Sequence, residues 1–110
     1  MISIRVKLRG GKTTIGSWMQ LANADVAEMM GDAGFDWICV DMEHSTITRS
    51  DLPDLFRAIS LGGTTPIVRL KISDPDLATE ALEAGAEGII APNIYDPDQV
   101  RELKNAMRYP

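Results

Sequence analysis

Three ionisable side chains stand together where the apolar run at residues 37–40 ends, in the order Asp41, Glu43, His44. His44 is the only histidine of the chain. An imidazole has a reference pKa near neutrality, so it suits general acid–base catalysis, and a neighbouring carboxylate can orient it and stabilise its charged form. Two hypotheses follow: a site that transfers protons, or a surface loop whose polar residues cap a strand.

Arg69 and Trp18 are the other residues whose types suggest chemistry. Arg69 directly follows Ile67 and Val68, and burying its charge would be unfavourable by several kcal/mol unless it is paired. A guanidinium can bind a substrate carboxylate through two parallel hydrogen bonds, but an internal salt bridge to Asp41 or Glu43 is an equal alternative. Trp18 is expected either to pack at a rim or to form a platform for substrate.

Four apolar runs alternate with four amphipathic helical patterns, in the order β-α-β-α-β-α-β-α. The strands are predicted at residues 14–20, 35–41, 65–70 and 88–94. The helices are predicted to begin after Asn23, near Ser50, and after Asp74 and Asp96, because Asn and Asp cap helices and proline suits the first turn. Glycines are expected to end the first three helices, at Gly34, Gly62 and Gly85.

This alternation predicts a parallel sheet covered by helices. At the carboxyl ends of its strands, where such folds bind ligands, we expect Trp18 and Gln20, then the Asp41–Glu43–His44 group, then Arg69, then Pro92 and Asn93. Both a doubly wound sheet and a TIM barrel fit the pattern. Neither glycine-rich phosphate-binding motif occurs, which weakens the nucleotide-binding version.

Composition narrows the class of protein. The chain has 110 residues and a net charge of −5, which suits one small acidic domain and not a nucleic-acid-binding surface. Its basic start is expected to be a solvated segment. No apolar run approaches the ~20 residues of a membrane span. The single cysteine, Cys39, is expected to be a small buried hydrophobe. Together these features predict a cytoplasmic protein that binds neither nucleic acid nor membrane.

Five segments in order, GSWMQ, AGFDWICVDMEHS, PIVRL, ALEAGAEGIIAPNI and MRYP, resemble the HpcH/HpaI aldolases of the phosphoenolpyruvate/pyruvate superfamily. The resemblance runs over residues 8–110. It implies a TIM (β/α)8 barrel and a class II aldolase, a carbon–carbon lyase that joins or separates pyruvate (or a related 2-oxo acid) and an aldehyde. It also implies a divalent metal, Mg, Mn or Co, that chelates pyruvate and stabilises its enolate.

The resemblance also implies roles for individual residues. His44 would be the acid/base, Asp41 its dyad partner, and Arg69 the group that binds pyruvate and offsets the charge of the enolate oxygen. Trp18 and Glu43 match positions that contact substrate. The family's metal ligands lie on strands five and six, so none is expected among the four strands here.

A (β/α)8 barrel needs eight strands and about 250 residues. Residues 1–110 are therefore interpreted as a partial HpcH/HpaI aldolase domain, the first four βα units, incomplete as a single chain. They would be either a fragment or a half barrel that closes with another copy, so a homo-oligomer is expected. The chain would supply the acid/base and pyruvate-binding half of the site and be inactive alone. The alternative is a non-catalytic half-barrel assembly module, and a citramalyl- or malyl-CoA lyase relative is a less similar option.

Overall fold

A computed structural model describes residues 3–108, in which four parallel strands form one sheet in the order β1-β2-β3-β4. The strands are β1 (Gly16–Met19), β2 (Trp37–Asp41), β3 (Thr65–Arg69) and β4 (Gly88–Ile90). The helices are α1 (Ile4–Arg9), α2 (Ala24–Gly31), α3 (Leu52–Leu61), α4 (Pro75–Ala84) and α5 (Pro97–Met107), with a 3-10 turn at Arg49–Asp51 before α3. The predicted parallel α/β fold, with strands alternating with helices, is confirmed.

The two faces of the sheet have different environments because successive strand residues point to opposite sides. Ile38, Val40 and Val68 lie on the face that α2 to α5 cover, where they join one buried apolar cluster with Ala27, Leu55, Leu77 and Leu103. This burial is the main apolar contribution to the stability of the sheet.

The opposite face presents the alternate residues of each strand. Strand register places Trp18 beside Cys39, and Asp41 beside Arg69, whose own neighbour is Ile90. Asp41, Arg69 and Ile90 are the carboxyl-terminal residues of β2, β3 and β4. The face that the helices leave uncovered is therefore the one that carries the candidate site.

The predicted helix starts are confirmed by their caps. The side chain of Asn23 accepts a hydrogen bond from the backbone N–H of Val26, and those of Asp74 and Asp96 accept bonds from the first turns of α4 and α5. Gly85 ends α4 with a φ of 122°, a left-handed conformation that only glycine adopts without strain.

Several elements are shorter than predicted, most clearly α2, β1 and β4. Helix α2 ends at Gly31, and Gly34 lies in the turn that follows it, with a φ of 98°. Strand β1 comprises Gly16–Met19 within the predicted residues 14–20. Strand β4 stops at Ile90, because Pro92 has no N–H to donate to a ladder and Asn93 has a positive φ of 54°.

The basic N-terminal segment is partly helical, which the prediction of a solvated segment did not include. Within α1, Lys7 forms an ion pair with Asp36, the residue before β2, and Asp36 also accepts a hydrogen bond from the N–H of Ile15. Arg5, Arg9 and Lys12 are exposed, as expected. No helix within residues 3–108 is both long and apolar enough to cross a bilayer.

Helices α2 and α3 approach each other through glycine. A β-carbon on Gly31 would lie 2.4 Å from the carbonyl oxygen of Ile59, and one on Gly62 would lie 2.3 Å from the carbonyl oxygen of Gly31. The small residues Ala27 and Gly31 therefore face α3, which turns Met29 toward solvent.

Replacing Gly31 with alanine is expected to destabilise the fold by about 1–3 kcal/mol, because the added methyl must push two backbones apart. Urea unfolding followed by circular dichroism measures this change. Gly10→Ala is the matched control, since Gly10 is exposed, has a φ of −81° and would place its β-carbon no closer than 3.3 Å to another residue. Equal midpoints for both variants would contradict the close-approach argument.

Candidate functional site at the carboxyl ends of the strands

The centre of the site is an ion pair between Asp41 and Arg69, which face each other across β2 and β3. Arg69 Nε donates to Asp41 Oδ1 at 3.0 Å, and Nη2 donates to Oδ2 at 2.6 Å. The side chain of Asp41 is 0% exposed and that of Arg69 is 24% exposed. Of the two expectations for Arg69, the internal salt bridge is therefore present.

Three further donors reach the Asp41 carboxylate. Oδ1 accepts from the backbone N–H groups of Glu43 and His44 at 3.0 and 3.1 Å, and Oδ2 accepts from Gln20 Nε2 at 3.1 Å. The Arg69 guanidinium, helped by Gln20 and the backbone N–H of His44, holds the pKa of the carboxyl well below its usual range against the opposing effect of burial. Asp41 is therefore an anion at neutral pH.

Trp18 packs against the same guanidinium. The Arg69 Cζ lies 4.5 Å from the centroid of the Trp18 ring, in a cation–π arrangement, and Trp37 meets that ring edge-on at 6.4 Å. Trp18 remains 41% exposed. It thus packs at the rim, as one of its two hypotheses stated, while part of its ring stays open to solvent.

Glu43 lies between the two basic groups of the site. Its Oε1 is 3.4 Å from His44 Nε2 and 3.5 Å from Arg69 Nε, so one carboxylate oxygen brings the imidazole and the guanidinium close together. The imidazole is 63% exposed, whereas the Glu43 side chain is 19% exposed. His44 can therefore meet a ligand in solution without any rearrangement of the core.

The expected contact between Asp41 and the His44 imidazole takes a different form. Asp41 accepts from the backbone N–H of His44, while the imidazole faces Glu43. Both oxygens of Asp41 are already engaged by Arg69, Gln20 and the backbone, which leaves no strong acceptor for the imidazole. Asp41 thus orients the loop that carries His44, and the side-chain partner of His44 is Glu43.

Cys39 lies on the same face of the sheet as Asp41 and, like it, is fully buried. Burial raises the pKa of its thiol to about 12, so the thiol stays protonated at neutral pH. This agrees with its expected role as a small apolar residue.

The described residues do not make a site for a divalent metal. No group of three His, Cys, Asp or Glu side chains within residues 3–108 lies close enough to hold one. Asp41 accepts from several donors, and Glu43 is near two nitrogen groups. These carboxylates suit the binding of cationic side chains in their present arrangement.

The arrangement is suited to binding a small anion next to a proton-transfer group. A guanidinium has five N–H donors, and the Asp41 contacts use two of them. The donors of Nη1 make no hydrogen bond to the part of the chain that the structure describes, so they can reach a ligand carboxylate. Gln20 was predicted to lie at a strand end but without a role, and its position directly after β1 was the available signal.

Comparisons with known proteins agree with this fold. The sequence profile of the family described as HpcH/HpaI aldolase/citrate lyase matches residues 14–110. The chain is 39% identical over 103 residues to a 2-dehydro-3,6-dideoxy-6-sulfogluconate aldolase of Pseudomonas putida, covering 94% of this chain and 40% of that protein. It is 38% identical over 104 residues to a hydroxypyruvate/pyruvate aldolase of Deinococcus radiodurans, covering 94% and 37%.

A solved structure shows the same relation. The crystal structure of an HpcH/HpaI aldolase/citrate lyase family protein from Burkholderia cenocepacia J2315 superposes with a TM-score of 0.86 at 33% identity, covering 97% of this chain and 43% of that one. The chain thus spans about 40% of the length of the curated relatives it matches. It belongs to the HpcH/HpaI aldolase/citrate lyase family.

Proposed function

We propose that this chain supplies the acid/base and 2-oxo-acid-binding part of a class II pyruvate aldolase, a carbon–carbon lyase. The observation that carries the proposal is the setting of Arg69: Asp41 holds its guanidinium by two hydrogen bonds that leave Nη1 unused. Glu43 lies close both to this guanidinium and to the imidazole of His44. Two aldolases of 2-oxo acids among the relatives support the substrate class.

Arg69 would bind the carboxylate of the 2-oxo acid. Its contacts with Asp41 and the ring of Trp18 restrain the guanidinium before substrate arrives, so little side-chain entropy is lost on binding. Both carboxylates near it, Asp41 and Glu43, also disfavour any second anion that lacks its own guanidinium contact. Trp18 would cover one side of the bound acid.

His44 would move the protons. In the cleavage direction, the imidazole takes the proton of the hydroxyl that lies two carbons from the carbonyl carbon, and the carbon–carbon bond breaks to release the aldehyde. The electron pair of that bond forms the enolate of the 2-oxo acid, whose oxygen charge Arg69 offsets. The imidazolium then returns its proton to the enolate carbon, which gives pyruvate and restores the neutral base.

A class II mechanism also uses a divalent ion, which acts as a Lewis acid on the 2-oxo acid. The described residues do not fit such an ion, because Asp41 and Glu43 already face the guanidinium and the imidazole. We therefore place its ligands outside this group, and none of the steps assigned to His44 or Arg69 runs through the metal.

Exchange of the methyl protons of pyruvate for deuterium tests the proposal. Proton NMR follows this exchange in D₂O with a protein containing this chain and Mn²⁺ or Mg²⁺. The His44→Ala variant is expected to exchange about 10²–10⁴-fold more slowly, the usual contribution of a general base. Because the imidazole is mostly exposed, this variant should keep its fold.

Thr46→Ala is the matched control, since Thr46 is an exposed residue of the same loop. It is expected to exchange at the rate of the unsubstituted protein. An unchanged rate in His44→Ala would show that another group is the base. No exchange in the unsubstituted protein would instead favour the alternative, a non-catalytic half-barrel module.

A further inference from the structure

Among the described residues at the carboxyl end of β1, only Gln20 forms a hydrogen bond with the Asp41–Arg69 ion pair. It directly follows Met19, whose partner across the sheet is Val40, so continuing the register sets Gln20 beside Asp41. Its Nε2 donates to Asp41 Oδ2 at 3.1 Å. A third strand thereby joins the pair that β2 and β3 form.

The two oxygens of Asp41 differ in how firmly they are held. Oδ1 accepts from two backbone N–H groups as well as from Arg69, so the local chain fixes its place. Within residues 3–108, Oδ2 has two donors, Arg69 Nη2 and Gln20. The carboxylate must orient the guanidinium, so the guanidinium cannot also be what fixes the carboxylate. Gln20 is the other donor to Oδ2, and it therefore sets the plane of the carboxylate.

A neutral donor at this position also changes the charge balance. A hydrogen bond from an amide withdraws part of the negative charge of Oδ2 without adding a competing cation. More of the positive charge of Arg69 then remains for a ligand anion at its free Nη1 side. A second arginine or lysine at residue 20 would hold the carboxylate equally well but would compete with Arg69 for it.

We propose that Gln20 is a positioning residue: through Asp41 it sets the orientation of the Arg69 guanidinium that receives the substrate carboxylate. This inference rests on the proposed function. Gln20 does not touch the reacting atoms in the role described, so its effect should fall on binding of the 2-oxo acid more than on the chemical step.

The position allows clean substitution. Gln20 is exposed and outside the buried apolar cluster, so changing its end group leaves the core intact. Methionine has nearly the length and volume of glutamine but no N–H to donate. Glutamate keeps the length and can donate only when protonated, whereas its ionised form repels Asp41 and competes for Arg69.

Steady-state kinetics of pyruvate aldol cleavage in a protein containing this chain tests the role. Gln20→Met is expected to raise KM for the 2-oxo acid about tenfold, the effect of losing one hydrogen bond to a charged group, while kcat changes by less than about threefold. Gln20→Glu is expected to raise KM more at pH 8 and to recover toward pH 5 as the new carboxyl gains its proton. In Gln20→Met, KM should lack that recovery.

A second measurement needs no activity. Hydrogen exchange of the Arg69 Nε–H, followed by ¹H–¹⁵N NMR, is expected to be faster in Gln20→Met than in the unsubstituted protein, with the melting temperature as the check on folding. Unchanged exchange at Arg69 would overturn the inference whatever the kinetics. If Arg69 exchange responds but no variant and no unsubstituted protein cleaves aldols, the proposed function fails while the positioning of Arg69 by Gln20 stands.

Discussion

Replacing Asp41 with alanine is expected to lower the free energy of unfolding by about 3–5 kcal/mol, the usual result of removing one partner from a buried ion pair. The carboxylate is 0% exposed and accepts from Arg69, Gln20 and two backbone N–H groups. Alanine would leave those donors without their common acceptor. Urea unfolding with circular dichroism gives the free energy directly.

Asp54→Ala is the matched control for that experiment. Asp54 also pairs with an arginine, Arg57, at 3.0 Å, but both side chains are more than two-thirds exposed, at 74% and 71%. Its replacement is expected to change the free energy of unfolding by less than about 1 kcal/mol. If the two variants were equally stable, the Asp41–Arg69 pair would not be a structural anchor.

The same pair has a signature in pH. The guanidinium of Arg69 lowers the pKa of Asp41 in the folded state, so the contribution of the carboxylate to stability is fully present above its unfolded value, near 3.9. It is lost as pH falls through the lower, folded pKa. The stability difference between the unsubstituted protein and Asp41→Asn should therefore stay constant from pH 7 to about 5 and shrink below about pH 4.

Arg69→Lys is expected to reduce kcat/KM for 2-oxo-acid aldol cleavage about 10²–10³-fold, although the charge is kept. Lysine has no planar fork, so it cannot hold both oxygens of Asp41 and still present donors to a substrate carboxylate. It also loses the stacking of the guanidinium on Trp18, whose ring centroid lies 4.5 Å from Cζ. Initial rates measured over a range of concentrations of one pyruvate-derived aldol give kcat and KM.

Arg49→Lys provides the comparison at an exposed site. Arg49 forms an ion pair with Glu80 at 2.8 Å near the same end of the sheet, with both side chains about half exposed. This variant is expected to keep the kinetic constants within about twofold, since an exposed pair contributes little. A loss of activity in Arg49→Lys comparable with that in Arg69→Lys would mean that positive charge at this end matters more than the fork.

The features that follow from local sequence were predictable. Asn23, Asp74 and Asp96 mark the starts of α2, α4 and α5 because a cap bonds to N–H groups two or three residues away. The four strands alternate with helices as expected, and parallel strands place their carboxyl ends together. That rule brought Asp41, Glu43, His44 and Arg69 to one end of the sheet from the sequence alone.

Tertiary structure decided how those residues are used. The pairing of Asp41 with Arg69 joins residues 28 positions apart, and it depends on the register of β2 against β3, which no local pattern specifies. Once Arg69 and Gln20 occupy the carboxylate, the imidazole of His44 has Glu43 as its neighbour. The sequence by itself determined which chemical groups gather at the strand ends. Their partners were decided by the tertiary structure, because the donors compete for a few carboxylate oxygens and the outcome depends on their positions in three dimensions.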